Sequence, residues 1–201
     1  LSLRRPAGKG ETPRIEKDDF RIISGVFNNK TTGEPLAILI PNSNTRSSDY
    51  GEGDRIARPS HVDYVAHEKQ GGFEDYRGGG HFSGRLTAPI VAGGAIVLDD
   101  LRKRGIRIGA HILEIGGIKD RLFEDYEKDF ALLEGKGFPT LTAIDTKMKE
   151  ACVLASRESD SLGGVIEVAI TGLPVGVGEP SFSSLEGELA NAMFSIDRKS
   201  T

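Results

Sequence analysis

The pattern of apolar and polar residues predicts strands in three parts of the chain. Two β-rich runs, Phe20–Phe27 and Leu36–Ile40, are separated by turn residues, which indicates a hairpin-like pair. Apolar residues alternate with polar or small ones over residues 106–112, the period of a half-buried strand. A further β-rich run, Val165–Thr171, ends at Gly172. The hairpin signal argues against a regular series of strand–helix–strand units.

Capping residues and helical spacing predict helices between and after these strands. Thr87 caps a helix that runs to about Arg104 and stops at the following glycine. The stretch Asp120–Leu133 is charged and helix-like, and Asp145 begins another helix with apolar residues at helical spacing. Strands and helices therefore alternate irregularly, which favours a mixed α+β fold, and we expect a single domain over residues 1–201.

A last helix is predicted near the end of the chain. Ser183 and Glu186 have the spacing of a capping box, in which the serine side chain accepts a hydrogen bond from a free backbone N–H group of the first helical turn. Four apolar residues mark one face of this helix: Leu185, Leu189, Met193 and Ile196. We expect that face to pack against the core.

Composition narrows the classes of function. Lys and Arg total 26 against 30 Asp and Glu, a net charge of -4, so we expect neither nucleic acid nor an anionic membrane as a main partner. The longest apolar run, Ala88–Leu98, is far shorter than the roughly 20 residues of a membrane span. Cys152 is the only cysteine, which favours a reducing cytoplasmic compartment. The charged segment Leu1–Asp19, with its prolines and glycines, predicts a mobile arm.

The segment Arg58–Thr87 concentrates the residues that carry chemistry. It contains three histidines and three arginines, and an imidazole exchanges protons near neutral pH. His61 lies two residues before Asp63, so it is either a proton-transfer residue or a loop histidine bonded to the backbone. His67 stands among charged residues and is predicted to be solvated. No spacing here matches a recognised ligand set and thiolates are absent, so no metal site is expected.

Gly78-Gly79-Gly80 adds a backbone that bends tightly. Successive N–H groups of such a loop form a concavity for an anion, and Arg77 and Arg85 on either side add positive charge. The alternative is a plain connecting loop. A second basic cluster in the N-terminal arm, which includes Arg4 and Lys9, is either a solvated charge run or an element that folds over an anionic substrate.

Eight short motifs occur in order along nearly the whole sequence. They are Arg4–Pro6, Ile22–Phe27, Arg46–Tyr50, Arg58–Tyr64, Asp75–Gly80, Asp160–Gly164, Gly172–Pro180 and Ala190–Ile196. Together they resemble the chorismate synthases, the lyases that close the shikimate pathway of aromatic amino-acid biosynthesis. The resemblance implies antiparallel β-sheets layered with helices, a β-α-β sandwich, in a protein that assembles as a homotetramer.

The resemblance also implies a reaction and a set of site residues. Chorismate synthases catalyse the 1,4-anti elimination of phosphate from 5-enolpyruvylshikimate-3-phosphate. They need FMN in its reduced form, and NADPH supplies the electrons that reduce it. His61 then matches one of two catalytic histidines, placed to protonate the reduced flavin, and Arg58 matches a substrate contact. Arg4 and Lys9 match basic positions of the arm, which face the substrate or, in some members, a nicotinamide phosphate. The positions that match flavin contacts are His81, Phe82, Ser83, Asn191 and Ala192.

Departures from the family pattern leave an alternative open. Many members have Arg-Ser-Ser or Arg-Ser-Ala where this chain has His81-Phe82-Ser83, and Asp197–Thr201 replaces a Pro-Ala-Val-Lys-Gly continuation. The Gly-Glu-Ser-His-Gly, Lys-Pro-Thr and Arg-His-Asp-Pro segments do not occur in these 201 residues. We therefore expect either an incomplete chain of a chorismate synthase, or an inactive fragment that retains only flavin or phosphate binding.

Overall fold

The computed structural model describes residues 1–4, 18–42, 56–59 and 61–196. These residues group into two compact units. The sheet unit holds residues 1–4 and 94–173, and the hairpin unit holds residues 18–42, 56–59, 61–93 and 174–196. The expectation of a single domain stays a prediction, and most of the predicted arm at Leu1–Asp19 lies outside the described residues.

Seven strands and five α-helices occur among the described residues. The strands are β1 (Arg21–Ser24), β2 (Val26–Phe27), β3 (Lys30–Thr31), β4 (Ala37–Leu39), β5 (Arg107–Ile115), β6 (Ile118–Lys119) and β7 (Gly164–Thr171). The helices are α1 (Asp63–Gln70), α2 (Thr87–Lys103), α3 (Tyr126–Leu133), α4 (Asp145–Arg157) and α5 (Leu185–Phe194). All pairs among these strands are antiparallel, so the mixed α+β fold with antiparallel sheets is confirmed.

Two antiparallel strand pairs lie one inside the other in the hairpin unit. β1 pairs with β4, and between them β2 pairs with β3. Asn28 and Asn29, which join β2 to β3, both have positive φ, 48° and 60°. Asparagine tolerates this left-handed conformation, and two such residues match the twist of paired strands. The predicted hairpin-like pair is thus confirmed, with a second short pair nested within it.

The sheet unit is built on one three-stranded sheet in the order β6-β5-β7. Helix α3 packs on one face of it, where Phe130 lies so close to Gly109 of β5 that any side chain at this position would overlap the ring. Phe123 meets the Phe130 ring edge to face at 5.5 Å between centroids. The absence of a side chain at Gly109 therefore allows the helix to approach the sheet closely.

A buried polar network crosses this sheet. His111 of β5 is fully buried opposite Glu167 of β7, and its Nε2 lies 2.7 Å from Oε2 of that carboxylate. Its Nδ1 faces Oδ2 of Asp120 at 3.7 Å. Asp120 in turn accepts hydrogen bonds from the Leu141 N–H at 2.6 Å and the Thr142 hydroxyl at 2.6 Å. The strand predicted over residues 106–112, which includes His111, is confirmed, and the network joins both strands to the segment before α4.

The helix predicted over Asp120–Leu133 begins later than expected. α3 starts at Tyr126, with Asp125 as its N-cap, whose side chain accepts from the Lys128 N–H at 3.2 Å. Residues 120–125 are instead held as a loop by the buried Asp129, which accepts from the guanidinium of Arg121 and from two backbone N–H groups. The charge pattern indicated a helix because acidic residues such as Asp120, Glu124 and Asp125 are also favourable in a first helical turn.

α4 agrees with its prediction, and Met148 and Ala155 are buried. The last helix differs in two respects. Its N-cap is Ser184, whose Oγ accepts from the Gly187 N–H at 3.1 Å, and the Ser183–Glu186 capping box is wrong. Its predicted core face is exposed: Met193 is 57% and Ile196 is 59% accessible, because no described segment covers them. None of the described helices is long and apolar enough to cross a membrane.

Candidate active site

Arg58, His61 and Asp63 form one hydrogen-bonded cluster at the start of α1. Arg58 Nε and Nη2 donate to the two carboxylate oxygens of Asp63 at 2.7 and 2.8 Å, and the Arg58 backbone N–H donates to Oδ2 at 3.1 Å. Nδ1 of His61 lies 2.6 Å from Oδ1 of Asp63. Arg58 Nη2 also lies 3.2 Å from both ring nitrogens of His61. A single carboxylate therefore holds both the guanidinium group and the imidazole.

Local sequence explains how the cluster forms. The His61 backbone N–H donates to the Arg58 carbonyl at 3.2 Å, which turns the chain so that both side chains lie on the same side. α1 follows at once, and Val62 and Ala66, four residues apart, are buried on one of its faces. Asp63 is in the first helical turn, where the free N–H groups favour a negative charge. α1 itself was not predicted, because only two small apolar residues anchor it.

Hydrogen bonds from the Arg58 side chain hold the pKa of Asp63 well below its usual value, although partial burial acts in the opposite direction. The carboxylate is therefore ionised at neutral pH. Because it faces Nδ1 of His61, it favours the proton on that nitrogen, and Nε2 then lies 3.2 Å from Nη2 of Arg58. The His61 side chain is only 12% exposed, so its ring is largely shielded from bulk water.

Two glycines bring the next segment against this cluster. A Cβ on Gly79 would lie 3.7 Å from Arg58 Nη2 and from the His61 ring, and a Cβ on Gly80 would lie 2.8 Å from the Asp75 carbonyl oxygen. Both glycines have positive φ, +83° and +49°, a conformation that residues with a Cβ rarely adopt. The 3-10 turn Arg77–Phe82 passes beside the cluster because these positions are glycine.

A cavity of about 240 Å³ adjoins the cluster, with Asp63 and Gly79 in its wall. Three aromatic side chains line it, together with three acids and two histidines. These are Tyr64, Tyr76 and Phe82, then Asp63, Glu74 and Asp75, then His67 and His81. The rest of the wall comes from Ile56, Ala57, Ala66, Gln70, Gly79 and Gly80. An apolar cavity with a few polar groups at its edge is typical of a small-molecule site.

A second histidine–carboxylate pair lies in this wall. His67 Nδ1 is 2.9 Å from Glu74 Oε1, and the Glu74 side chain is only 14% exposed. The His67 side chain is 52% exposed, so it is partly solvated as predicted, but its partner was missed. The signal that could have revealed the pair is Gly71-Gly72, which ends α1 and reverses the chain.

The predicted flavin positions are not all brought together. His81 and Phe82 line the cavity. Ser83 does not, and its Oγ instead accepts from the Arg85 N–H at 3.4 Å to cap the 3-10 turn Gly84–Leu86. Asn191 and Ala192 are exposed on α5 and are not part of the cavity wall.

The basic positions of the arm are described only in part. Arg4 ends a 3-10 turn, Ser2–Arg4, in the sheet unit, and Lys9 lies outside the described residues. Next to the triple glycine, Arg77 donates to Asp75 through Nε at 2.8 Å and Nη2 at 3.0 Å. A local carboxylate therefore balances the charge of Arg77, and anion binding by Gly78–Gly80 stays a prediction.

A family model described as chorismate synthase matches residues 1–199. The chain belongs to the chorismate synthase family. Two of the motifs that carry the family resemblance, Arg58–Tyr64 and Asp75–Gly80, are those that build the cluster and part of the cavity wall.

Named relatives agree with this assignment. The chain is 43% identical over 199 residues to the chorismate synthase of Korarchaeum cryptofilum, covering 98% of this chain and 55% of that protein. It is 44% identical over 196 residues to the chorismate synthase of Chitinophaga pinensis, covering 98% and 51%. A crystal structure of a chorismate synthase matches with a TM-score of 0.64 at 29% identity, covering 90% of this chain and 51% of that one. The chain thus spans about half the length of the relatives that it matches.

Proposed function

We propose that the protein containing this chain is a carbon–oxygen lyase that converts 5-enolpyruvylshikimate-3-phosphate to chorismate by 1,4-anti elimination of phosphate, with reduced FMN as cofactor. Membership of the chorismate synthase family supports the reaction. The observation that carries the proposal is the Arg58–His61–Asp63 cluster, because it combines a proton-transfer group with a fixed positive charge beside a cavity.

His61 is the proposed catalytic residue. Asp63 engages Nδ1, so Nε2, which lies 3.2 Å from Nη2 of Arg58, is the atom proposed to exchange a proton once a ligand displaces that contact. The same carboxylate limits rotation of the ring. General acid–base catalysis by a histidine held in this way contributes about 10²- to 10⁴-fold to a rate.

Arg58 is the proposed anchor for the anionic substrate. Asp63 fixes its guanidinium through two hydrogen bonds, yet the Arg58 side chain remains 50% exposed. A substrate with two carboxylates and a phosphate needs several such donors, and the charge of a departing phosphate is stabilised by them. Arg4 and Lys9 are proposed to add further positive charge from the arm.

The residues of the cavity fit the ring system of FMN. Tyr64, Tyr76 and Phe82 offer aromatic and apolar surfaces, and the acids and histidines of the wall offer hydrogen bonds at its edge. His81 and Phe82 are therefore proposed to hold the ring, with Ser83, Asn191 and Ala192 as further contacts. When bound, reduced FMN supplies the electron chemistry of the elimination, while the protein binds, orients and excludes water.

Further properties follow from the same proposal. NADPH supplies the reducing equivalents for FMN, directly or through a separate reductase. The protein acts in the shikimate pathway in the cytoplasm and assembles as a homotetramer.

The proposal is tested by an anaerobic assay of the purified protein with the enolpyruvyl substrate and reduced FMN. Equal amounts of inorganic phosphate and chorismate are expected. Neither product should form when FMN is omitted or when oxidised FMN replaces reduced FMN. Binding of FMN or phosphate without product would instead identify an inactive fragment, and phosphate without chorismate would indicate simple hydrolysis.

A further inference from the structure

We infer that the His67–Glu74 pair is a ligand-binding element of the cavity, in which His67 Nε2 contacts the polar edge of a planar heteroaromatic ring. In the proposed function this ring is that of FMN, and in that respect the inference rests on the proposed function.

The pair is built by the way in which α1 ends. Gly71 caps the helix with φ of 61° and Gly72 follows with φ of 82°, so the chain reverses within two residues. The Gly72 N–H donates to the His67 carbonyl at 3.0 Å. This reversal returns Glu74 to the side chain of His67, seven residues earlier, where Nδ1 and Oε1 are 2.9 Å apart.

The ring of His67 is also confined from another side. A Cβ on Gly72 would lie 3.3 Å from Cε1 of His67, so the glycine backbone packs directly against the imidazole. The side chain is therefore held in one orientation in the wall.

Orientation decides which atom faces a ligand. The largely buried Glu74 engages Nδ1, which favours the proton on that nitrogen. Nε2 then remains for a hydrogen bond with a molecule in the cavity, since His67 lines it. The arrangement repeats that of Asp63 and His61 at the other end of the same helix.

The charges of the wall indicate which part of a ligand enters. Three carboxylates line the cavity, from Asp63, Glu74 and Asp75, whereas the arginines that pair with the two aspartates are not part of its wall. A phosphate inside would meet these acids, but an uncharged ring with N–H donors at its edge complements them.

The size of the cavity leads to the same conclusion. At about 240 Å³ it is smaller than the roughly 300–1,000 Å³ of a pocket for a whole drug-sized ligand. It fits a ring system whose polar tail lies outside. Tyr64, Tyr76 and Phe82 provide surfaces for stacking.

The test uses two fluorescent probes, FMN and lumichrome, the second of which is the ring system without the phosphate tail. Affinities are measured for the unsubstituted protein and for His67→Ala, His67→Gln and Glu74→Ala. Lys69→Gln, an exposed change on the same helix, is the matched control. We expect His67→Ala to weaken both probes by roughly 2- to 13-fold, the factor for one hydrogen bond. His67→Gln should restore part of this loss, and Lys69→Gln should change neither affinity.

A nitrogen-15 spectrum of the His67 ring separates binding from folding effects. The proton is expected on Nδ1 in the unsubstituted protein and not in Glu74→Ala, and lumichrome should shift the Nε2 signal. Equal lumichrome affinity in His67→Ala and in the unsubstituted protein, or failure of the unsubstituted protein to bind lumichrome, would overturn the inference. Lumichrome binding that depends on His67, with no FMN binding, would support the inference and contradict the proposed cofactor.

Discussion

Nδ1 of His61 lies 2.6 Å from Oδ1 of Asp63, two residues later in the chain. The carboxylate is kept ionised because the side chain of Arg58 donates to both of its oxygens. Asp63 thus links His61, the proposed proton-transfer residue, with Arg58, the proposed anchor for an anion. A change at Asp63 should therefore affect both functions, and this dependence can be measured.

Asp63→Asn should lower the rate of phosphate release by up to about 10⁴-fold, the loss seen when the carboxylate that orients a catalytic histidine is replaced by an amide. An amide has only one oxygen, so it cannot accept from Arg58 on two oxygens and also accept from Nδ1 of His61 as the carboxylate does. Steady-state kinetics over a range of pH provides the measurement. Asp99→Asn on α2, an exposed aspartate paired with Lys103, is the control and should retain the rate. Equal rates for the two variants would show that Asp63 has no such role.

Arg58→Lys should raise the KM for the enolpyruvyl substrate by about 10- to 100-fold, the range expected for a hydrogen bond to a charged group. A lysine retains the charge, but it cannot make the paired hydrogen bonds that hold the guanidinium on Asp63. Arg104→Lys is matched to it, because Arg104 also pairs with an aspartate and its side chain is 70% exposed, against 50% for Arg58. If both lysine variants show the same KM, Arg58 does not bind substrate.

Acid should destabilise the sheet unit through Asp129. Hydrogen bonds from Arg121 hold the pKa of this buried carboxyl well below its usual value, whereas in the unfolded chain it titrates near pH 4. Since the folded-state pKa is the lower one, the stabilisation is present above about pH 4 and is lost as the pH falls further.

Urea unfolding between pH 7 and pH 3 measures this effect. Asp129→Asn should be less stable at pH 7 and should lose less stability on acidification than the unsubstituted protein. Glu127→Gln, an exposed change on the same helix, should follow the unsubstituted protein. Parallel pH profiles for Asp129→Asn and the unsubstituted protein would contradict the account.

Met148→Ala should destabilise the fold by about 2–5 kcal/mol, the usual range for removing a buried methionine side chain. Met148 has no exposed surface, whereas Leu154 on the same helix is 56% exposed. Leu154→Ala should therefore change the free energy of unfolding by less than about 0.5 kcal/mol. Thermal or urea unfolding distinguishes the two, and similar losses would show that α4 does not pack as described.

Local signals in the sequence predicted part of the site. His61 and Asp63 are close in sequence, so their pairing follows from a single turn of chain. The hairpin could be predicted because two asparagines can adopt consecutive positive φ values. In contrast, His67 and Glu74 meet only because Gly71-Gly72 reverses the chain. The hydrophobic repeats of strands and helices, two and 3.6 residues, do not indicate the direction in which the chain continues after such a turn.

Contacts between distant residues could not be predicted from local patterns. His111 meets Glu167 across 56 positions, because the register of β5 with β7 places them opposite each other. The loop at residues 120–125 depends on the buried Asp129, whose charge also suits a helix start. The apolar stripe of α5 indicated burial, yet Met193 and Ile196 are exposed among the described residues, since periodicity reveals a face but not what covers it.

The most direct test of the central claim compares His61→Ala with the unsubstituted protein under anaerobic conditions with reduced FMN. We predict a loss of about 10²- to 10⁴-fold in the rate of chorismate formation, the contribution of a general acid–base residue. The affinity for FMN should stay within about threefold, because His61 is not part of the cavity wall. An unchanged rate of chorismate formation in His61→Ala would contradict the account.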